Sequence, residues 1–262
     1  MFQFDEGYSY NMPPHFGGVE GGSYNPLPYD DVTSIAISYL TDEASLAQYV
    51  PDAFEITEPM INVMYQKCCG VQWMAGGYYS LIALMTPTRH VPTGTEGVYV
   101  LIIWEDKTAP ILGGREKCGM PKVFAEIPDY HRLGNLVTAH ASHEGRVFLE
   151  MQLEPEKEFS AGELSVMNEN GRINQLGWRY IPRMGSPGAA LSHATLYPVD
   201  ATYTSGSSGS GKVVWTKAEP LYNPLQSPAV NALADLPILE YKDCMFTKGA
   251  SNLREDLARD LG

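Results

Sequence analysis

Gly113-Gly114-Arg115-Glu116-Lys117-Cys118-Gly119-Met120-Pro121-Lys122-Val123-Phe124-Ala125 sets one lysine inside an apolar run. Met120 and Pro121 precede Lys122, and Val123, Phe124 and Ala125 follow it. Lysine is seldom buried, because taking its charge out of water is costly. Where the strand is internal, burial favours the neutral amine, and a neutral amine is the nucleophile that forms an imine with a ketone. The competing reading is an edge-strand lysine whose stem packs on apolar surface while its head reaches water.

Outward from this stretch the chain reads as short strands and turns. Thr33–Tyr39 alternates polar and apolar, the pattern of a half-buried strand. Strand-like runs follow at Ile61–Lys67, Tyr78–Met85 and Gly97–Trp104. Asn135–Ala141 and Arg146–Leu153 read as a hairpin around His143-Glu144-Gly145, and further strands are expected at Thr195–Tyr203, Lys212–Lys217 and Ile238–Phe246. Three short helices are expected. Thr41 caps one that runs to Val50, Ser227-Pro228 opens a second, and Ser251 caps a third in the C-terminal tail. Residues 1–30, rich in Gly, Pro, Tyr and Asn, read as an irregular arm.

The 25 Gly, 19 Pro and 16 Tyr among 262 residues favour many short strands over long helices. No repeat or shift in composition divides the chain, so residues 1–262 are expected to form a single mainly β domain with a few short helices, an antiparallel sheet or barrel. A net charge of -13 argues against nucleic acid or an anionic membrane as partner. The longest apolar stretch, Val98–Trp104, is too short to cross a bilayer, and the start MFQFDEGYSY has no signal-peptide character. Cys68, Cys69, Cys118 and Cys244 form neither a CxxC motif nor a disulfide framework, so a reduced, cytoplasmic protein is expected.

Other signals have plainer explanations. Gly206-Ser-Ser-Gly-Ser-Gly211-Lys212 resembles a phosphate loop, but Val213 stands where Ser or Thr is needed, and a flexible hairpin loop explains it. His140 and His143 flank a tight turn with no carboxylate or Cys to complete a metal site, so no metal is expected. No serine sits in a nucleophile elbow, and Cys118 reads as a pocket-lining thiol.

Gly114-Arg115-Glu116 followed by Pro121-Lys122 resembles the signature of the acetoacetate decarboxylase family, whose lysine after that proline forms the Schiff base. Val50-Pro51-Asp52-Ala53-Phe54-Glu55-Ile56 is similar to the family's VP-x-x-[LF]-E-[IV] segment, and Leu233…Asp235-Leu236-Pro237-Ile238 to its closing helix and strand. The resemblance implies the family's antiparallel β-barrel or cone, no cofactor, a small 2-oxo acid as ligand, and a homo-oligomer of four or more chains with the N-terminal arm at an interface.

The departures narrow the chemistry. Decarboxylases of the family carry a second lysine after the first, where Val123 stands here, and an arginine where ungapped counting gives Val32. Their two active-site glutamates fall at Met64 and Tyr79. The imine-forming lysine remains without those polar groups, as in the family's non-decarboxylating branch. The resemblance therefore implies a pyruvate aldolase-dehydratase or a hydratase of 2-oxo-3-enoates, with Lys122 as the amine and Tyr79 managing the proton on the hydroxyl. Glu116 is the next candidate for that proton. Arg115 and Glu116 are expected to pair and orient the lysine loop, with Cys118, Met64 and Met120 lining the site. The alternatives are an acetoacetate decarboxylase with an altered pocket and a non-catalytic barrel that binds small organic acids.

Overall fold

The computed structural model describes residues 2–20 and 25–262. A small hairpin, β1 (Tyr8–Ser9) with β2 (Val19–Glu20), stands apart from a 13-stranded sheet. That sheet contains β3 (Leu27–Leu40), β4 (Phe54–Ile56), β5 (Met60–Val71), β6 (Gly77–His90), β7 (Thr95–Glu105), β8 (Lys122–Phe124), β9 (His131–Leu133), β10 (Leu136–His143), β11 (Arg146–Glu158), β12 (Arg172–Pro182), β13 (Ala189–Trp215), β14 (Glu240–Leu253) and β15 (Arg259–Asp260). The helices are α1 (Glu43–Ala47), α2 (Thr108–Cys118), α3 (Ala161–Glu169) and α4 (Ser227–Asp235). Among the described residues no helix is long and apolar enough to cross a membrane.

The sheet curls on itself. Its order runs β12–β7–β6–β5–β3–β14–β13, and β13 pairs back onto β12, which closes a ring. Most pairings are antiparallel, whereas β12–β7 and β7–β8 are parallel. The 27-residue β13 makes closure possible. Its first half pairs with β12, and its second half passes between β14 and β11 to start a second layer that continues through β10 to β9.

Alternation along the strands divides the apolar residues in two. Ile35, Ile37, Tyr65, Ile82, Leu84 and Trp104 face the second layer and pack with Phe148, Leu149 and Met151 into the main core. Their strand neighbours Val32, Cys68, Tyr79, Ala83 and Ile103 point into the ring. The reading of Thr33–Tyr39 as half-buried is thereby corrected. Its polar positions Ser34 and Ser38 are buried too, because they face the inside of the ring rather than bulk water.

Further differences have local causes. The glycine-serine run is no hairpin loop. It lies within β13, where a Cβ at Gly209 would collide with the Glu154 carbonyl, so small residues are what lets β13 pass between β11 and β14. The cap of α1 is Asp42, whose carboxylate accepts from the Ser45 amide at 2.8 Å; Thr41 is buried, and the helix ends at Ala47. Helix α4 takes Gln226 as its N-cap and Pro228 in its first turn, one residue earlier than read. Ser251 belongs to β14 and caps no helix; the tail makes a turn at Glu255–Leu257 and then pairs with β13 as β15. The arm is irregular apart from β1, β2 and a short turn, and β3 begins at Leu27. The β10–β11 hairpin does turn at Glu144-Gly145, with φ of 50° and 74°, the left-handed pair that a two-residue turn requires.

Candidate active site

The stretch around Lys122 is half helix and half strand. Gly113–Cys118 forms the end of α2, which stops at Gly119 with φ 70° and its N–H on the Arg115 carbonyl. Three residues later Lys122 opens β8, parallel to β7 with Lys122 opposite Ile103. Three contacts fix this short strand. Ile103 N donates to the Pro121 carbonyl at 3.1 Å, Arg115 Nη1 donates to the Lys122 carbonyl at 2.7 Å, and Gln226 Nε2 donates to the Phe124 carbonyl at 2.8 Å. Alternation then sends Val123 into the main core and Lys122 into the ring.

The ring encloses a cavity of about 710 Å³, and Lys122 lines it. The lysine side chain is only 12% exposed. Its Nζ donates to Glu105 Oε1 at 2.7 Å and to the Pro110 carbonyl at 3.2 Å. Glu105, at the end of β7, is 0% exposed, and its Oε2 has no hydrogen-bond partner among the described residues. Burial raises the Glu105 pKa, and the nearby Lys122 draws it down. This carboxyl is therefore suited to exchanging a proton with the amine.

Sequence reasoning missed Glu105. It ended the strand Gly97–Trp104 one residue before Glu105 and assigned that residue no role. A signal was available: Glu105 continues the face of Ile103, two residues back. What made that face internal was the parallel partner β8, which arrives from across α2.

Tyr79 also lines the cavity, at 2% exposure. Its hydroxyl lies 3.1 Å from that of Tyr29, and Trp73 Nε1 donates to Tyr29 at 3.0 Å. An indole N–H only donates. When Tyr29 in turn donates to Tyr79, the Tyr79 proton is left for a group inside the cavity. Burial raises the Tyr79 pKa well above 10, so the phenol keeps that proton.

Met64, Met120 and Cys118 line the cavity, and burial pushes the Cys118 thiol up to about 11, which makes it a neutral wall group. Val32 lines it as well. The expected Arg115–Glu116 ion pair is absent among the described residues, because Arg115 turns to the Lys122 backbone. The Glu116 carbonyl accepts from Arg179 Nε at 2.7 Å. The pair that holds the lysine is Glu105–Lys122, with its carboxylate at the end of β7 rather than in α2.

Comparison with known proteins gives the chain's family and relates its fold to solved structures. The sequence profile of the family described as acetoacetate decarboxylase (ADC) matches residues 11–253. Decarboxylase DEC1 of Cochliobolus heterostrophus is 30% identical over 231 residues, spanning 85% of this chain and 83% of that protein. The solved acetoacetate decarboxylase of Legionella pneumophila has the same fold, with a TM-score of 0.76 at 18% identity over 94% of this chain and 92% of that one. The enduracididine biosynthesis enzyme MppR, solved in complex with pyruvate, gives 0.74 at 14% identity over 98% and 99%. A further MppR structure holds the condensation product of pyruvate and imidazole 4-carboxaldehyde. With its profile matched across nearly the whole length, the chain belongs to the acetoacetate decarboxylase family.

Proposed function

We propose that the protein is a Schiff-base lyase for pyruvate-derived 2-oxo acids, working as a hydratase or aldolase-dehydratase of 2-oxo-3-enoates through Lys122. The observation that carries this reading is the Lys122 amine, buried against Glu105 on the wall of a mainly apolar cavity. Glu105 takes a proton from the ammonium, and the freed lone pair attacks C2 of the 2-oxo acid while the carbonyl π pair moves to oxygen. Returning protons to that oxygen expels it as water and leaves an iminium, an electron sink beside C3.

With pyruvate, loss of a methyl proton to the Glu105 carboxylate gives an enamine. Its C3 attacks an aldehyde carbon, and the aldehyde oxygen becomes a hydroxyl on C4. Loss of a second C3 proton to Glu105 returns the enamine, whose electrons expel the C4 hydroxyl as water with a proton from Tyr79; water then hydrolyses the conjugated iminium, freeing Lys122 and the enoate. Hydration is the same sequence reversed. The fold relative MppR holds pyruvate and a pyruvate–aldehyde condensation product, which makes pyruvate the first ketone to offer this site.

Decarboxylation is the second reading, favoured by the resemblance to DEC1. Against it stand Val32, Met64 and Tyr79 on the cavity wall and Val123, whose side chain packs in the core and so offers no second amine.

The free state of Cys68, Cys69, Cys118 and Cys244 fits a reducing cytoplasm. Exposed Phe4, Met12 and Phe16 on the arm fit an interface in a homo-oligomer of four or more chains. The test of the central reading is mass spectrometry after incubation with pyruvate and borohydride. Wild type gains one reduced adduct and Lys122→Ala gains none; an adduct on another lysine, or none on wild type, removes Lys122 from the chemistry.

A further inference from the structure

One cross-strand row on the cavity wall runs away from the Lys122–Glu105 pair. Glu105 on β7 stands opposite Leu81 on β6, and Leu81 opposite Gln66 on β5. Gln66 stands opposite Ser34 on β3, and Ser34 opposite Thr247 on β14. All of them line the cavity. After the apolar step at Leu81, the row is polar and carries no charge.

These polar groups are only partly satisfied. Gln66 Nε2 donates to Ser34 Oγ at 3.0 Å. Among the described residues nothing takes the Ser34 hydroxyl proton, and the Gln66 carbonyl oxygen and the Thr247 hydroxyl have no partner. Ser34 and Thr247 are 8% and 5% exposed. Hydroxyls so placed require partners, and inside a cavity a ligand is the partner available. The row is a narrow polar track, flanked by Ala83, Met64 and Ala36 on one side and by Tyr79, Cys68 and Val32 on the other.

No residue of the track itself is charged. Lys67, next to Gln66, points the other way and pairs with Asp129 at 2.5 Å. Lys248, next to Thr247, also borders the cavity but lies exposed, with its charge in water. A carboxylate or ammonium held between Gln66 and Ser34 would lose water without a buried opposite charge beside it. An amide and two hydroxyls suit a neutral donor or acceptor.

We propose that Gln66, Ser34 and Thr247 form a distal subsite for a neutral hydrogen-bonding group, such as a hydroxyl, carbonyl or amide, at the end of an apolar chain on the 2-oxo acid held at Lys122. This deepens the proposed function and takes Lys122 as the reacting amine. Strands lie about 4.8 Å apart, so Gln66 is about 10 Å from the Glu105 strand, the reach of a chain of roughly six to eight carbons. The cavity volume agrees: 710 Å³ lies within the range of about 300–1,000 Å³ that holds drug-sized ligands, far more than pyruvate fills. The aldehyde joined to pyruvate, or released from it, is then long and mainly apolar.

The test is calorimetric binding of unreactive 2-hydroxy acids to the full chain: lactate, 2-hydroxyoctanoate, 2,8-dihydroxyoctanoate and 2-hydroxyoctanedioate. The octanoate should bind at least about tenfold tighter than lactate, and the terminal hydroxyl should add about tenfold more. The dioate should bind more weakly than either eight-carbon partner. Gln66→Leu and Ser34→Ala should each remove most of the gain from the terminal hydroxyl. Equal affinity for lactate and the octanoate overturns the subsite, as does a hydroxyl gain that survives both substitutions, or a preference for the dioate. Borohydride trapping of pyruvate on the same wild-type sample separates the two ideas. A tail preference without an adduct keeps the subsite and removes the Lys122 chemistry; an adduct without a tail preference does the reverse.

Discussion

Gly114 in α2 lies directly against the Lys122 side chain: a Cβ placed on Gly114 would come within 2.5 Å of both Lys122 Cδ and Cε and within 3.0 Å of Nζ. The helix thus leaves room for the amine to lie on Glu105 only because this position has no side chain. Glycine costs a helix interior about 1 kcal/mol relative to alanine, so Gly114→Ala should leave thermal stability level or slightly raised. The displaced amine should nonetheless slow borohydride trapping of pyruvate by about tenfold or more. Trapping at the wild-type rate would show that the lysine reaches its working position by another path.

Tyr79→Phe separates imine formation from proton management. The ring stays, so packing against Tyr29 should change little. Trapping with pyruvate should proceed near the wild-type rate, while loss of enoate absorbance in water should fall by about a hundredfold. Equal loss in both assays would make the ring a support for Lys122. No loss in either would make Tyr79 structural and pass the role to Glu105, and then to Glu116.

Acetoacetate should release negligible carbon dioxide in an acetone-coupled assay. The groups that handle a β-keto carboxylate in the family's decarboxylases are replaced by Val32, Met64, Tyr79 and Val123, and Val123 faces the core. Substantial turnover would promote the decarboxylase reading.

The ring's closure at β12, β13 and β14 carries an ionic test. Asp200 accepts from Arg172 Nε at 2.6 Å and from Arg254 Nη1 at 2.7 Å, and Arg254 also pairs with Asp256. The hydrogen bond from Arg172 is the first cause that lowers the Asp200 pKa to about 2 from 3.8. A depressed carboxyl stabilises the folded state above its unfolded pKa, and that contribution fades as pH falls from about 3.8 through about 2. Asp200→Asn should therefore lower the urea midpoint most at neutral pH, and the gap to wild type should narrow across that window. A gap that stays constant from neutral pH to pH 2 would mean that the loss is one of shape rather than charge.

The sequence by itself determined a good deal. Lys122 stands alone in an apolar run, so either its charge was buried with a partner or its stem carried it to water. The strand periods of β3, β5, β6 and β7 were legible because side chains alternate across a strand whatever it pairs with. Only the tertiary structure decided what each face meets. Ser34 and Ser38 look like solvent positions in a local pattern, and the closure of β13 onto β12 turns them inward. Glu105 looks like the wet end of a strand until β8 is laid parallel to it across an intervening helix. Gly113 and Gly114 weaken the local helix signal, so α2 forms through its packing against β7, β8 and β12 rather than through propensity. Periodicity is a property of neighbours in the chain. The cavity, the Glu105–Lys122 pair and the polar row beyond them are made by residues that meet only after the ring has closed.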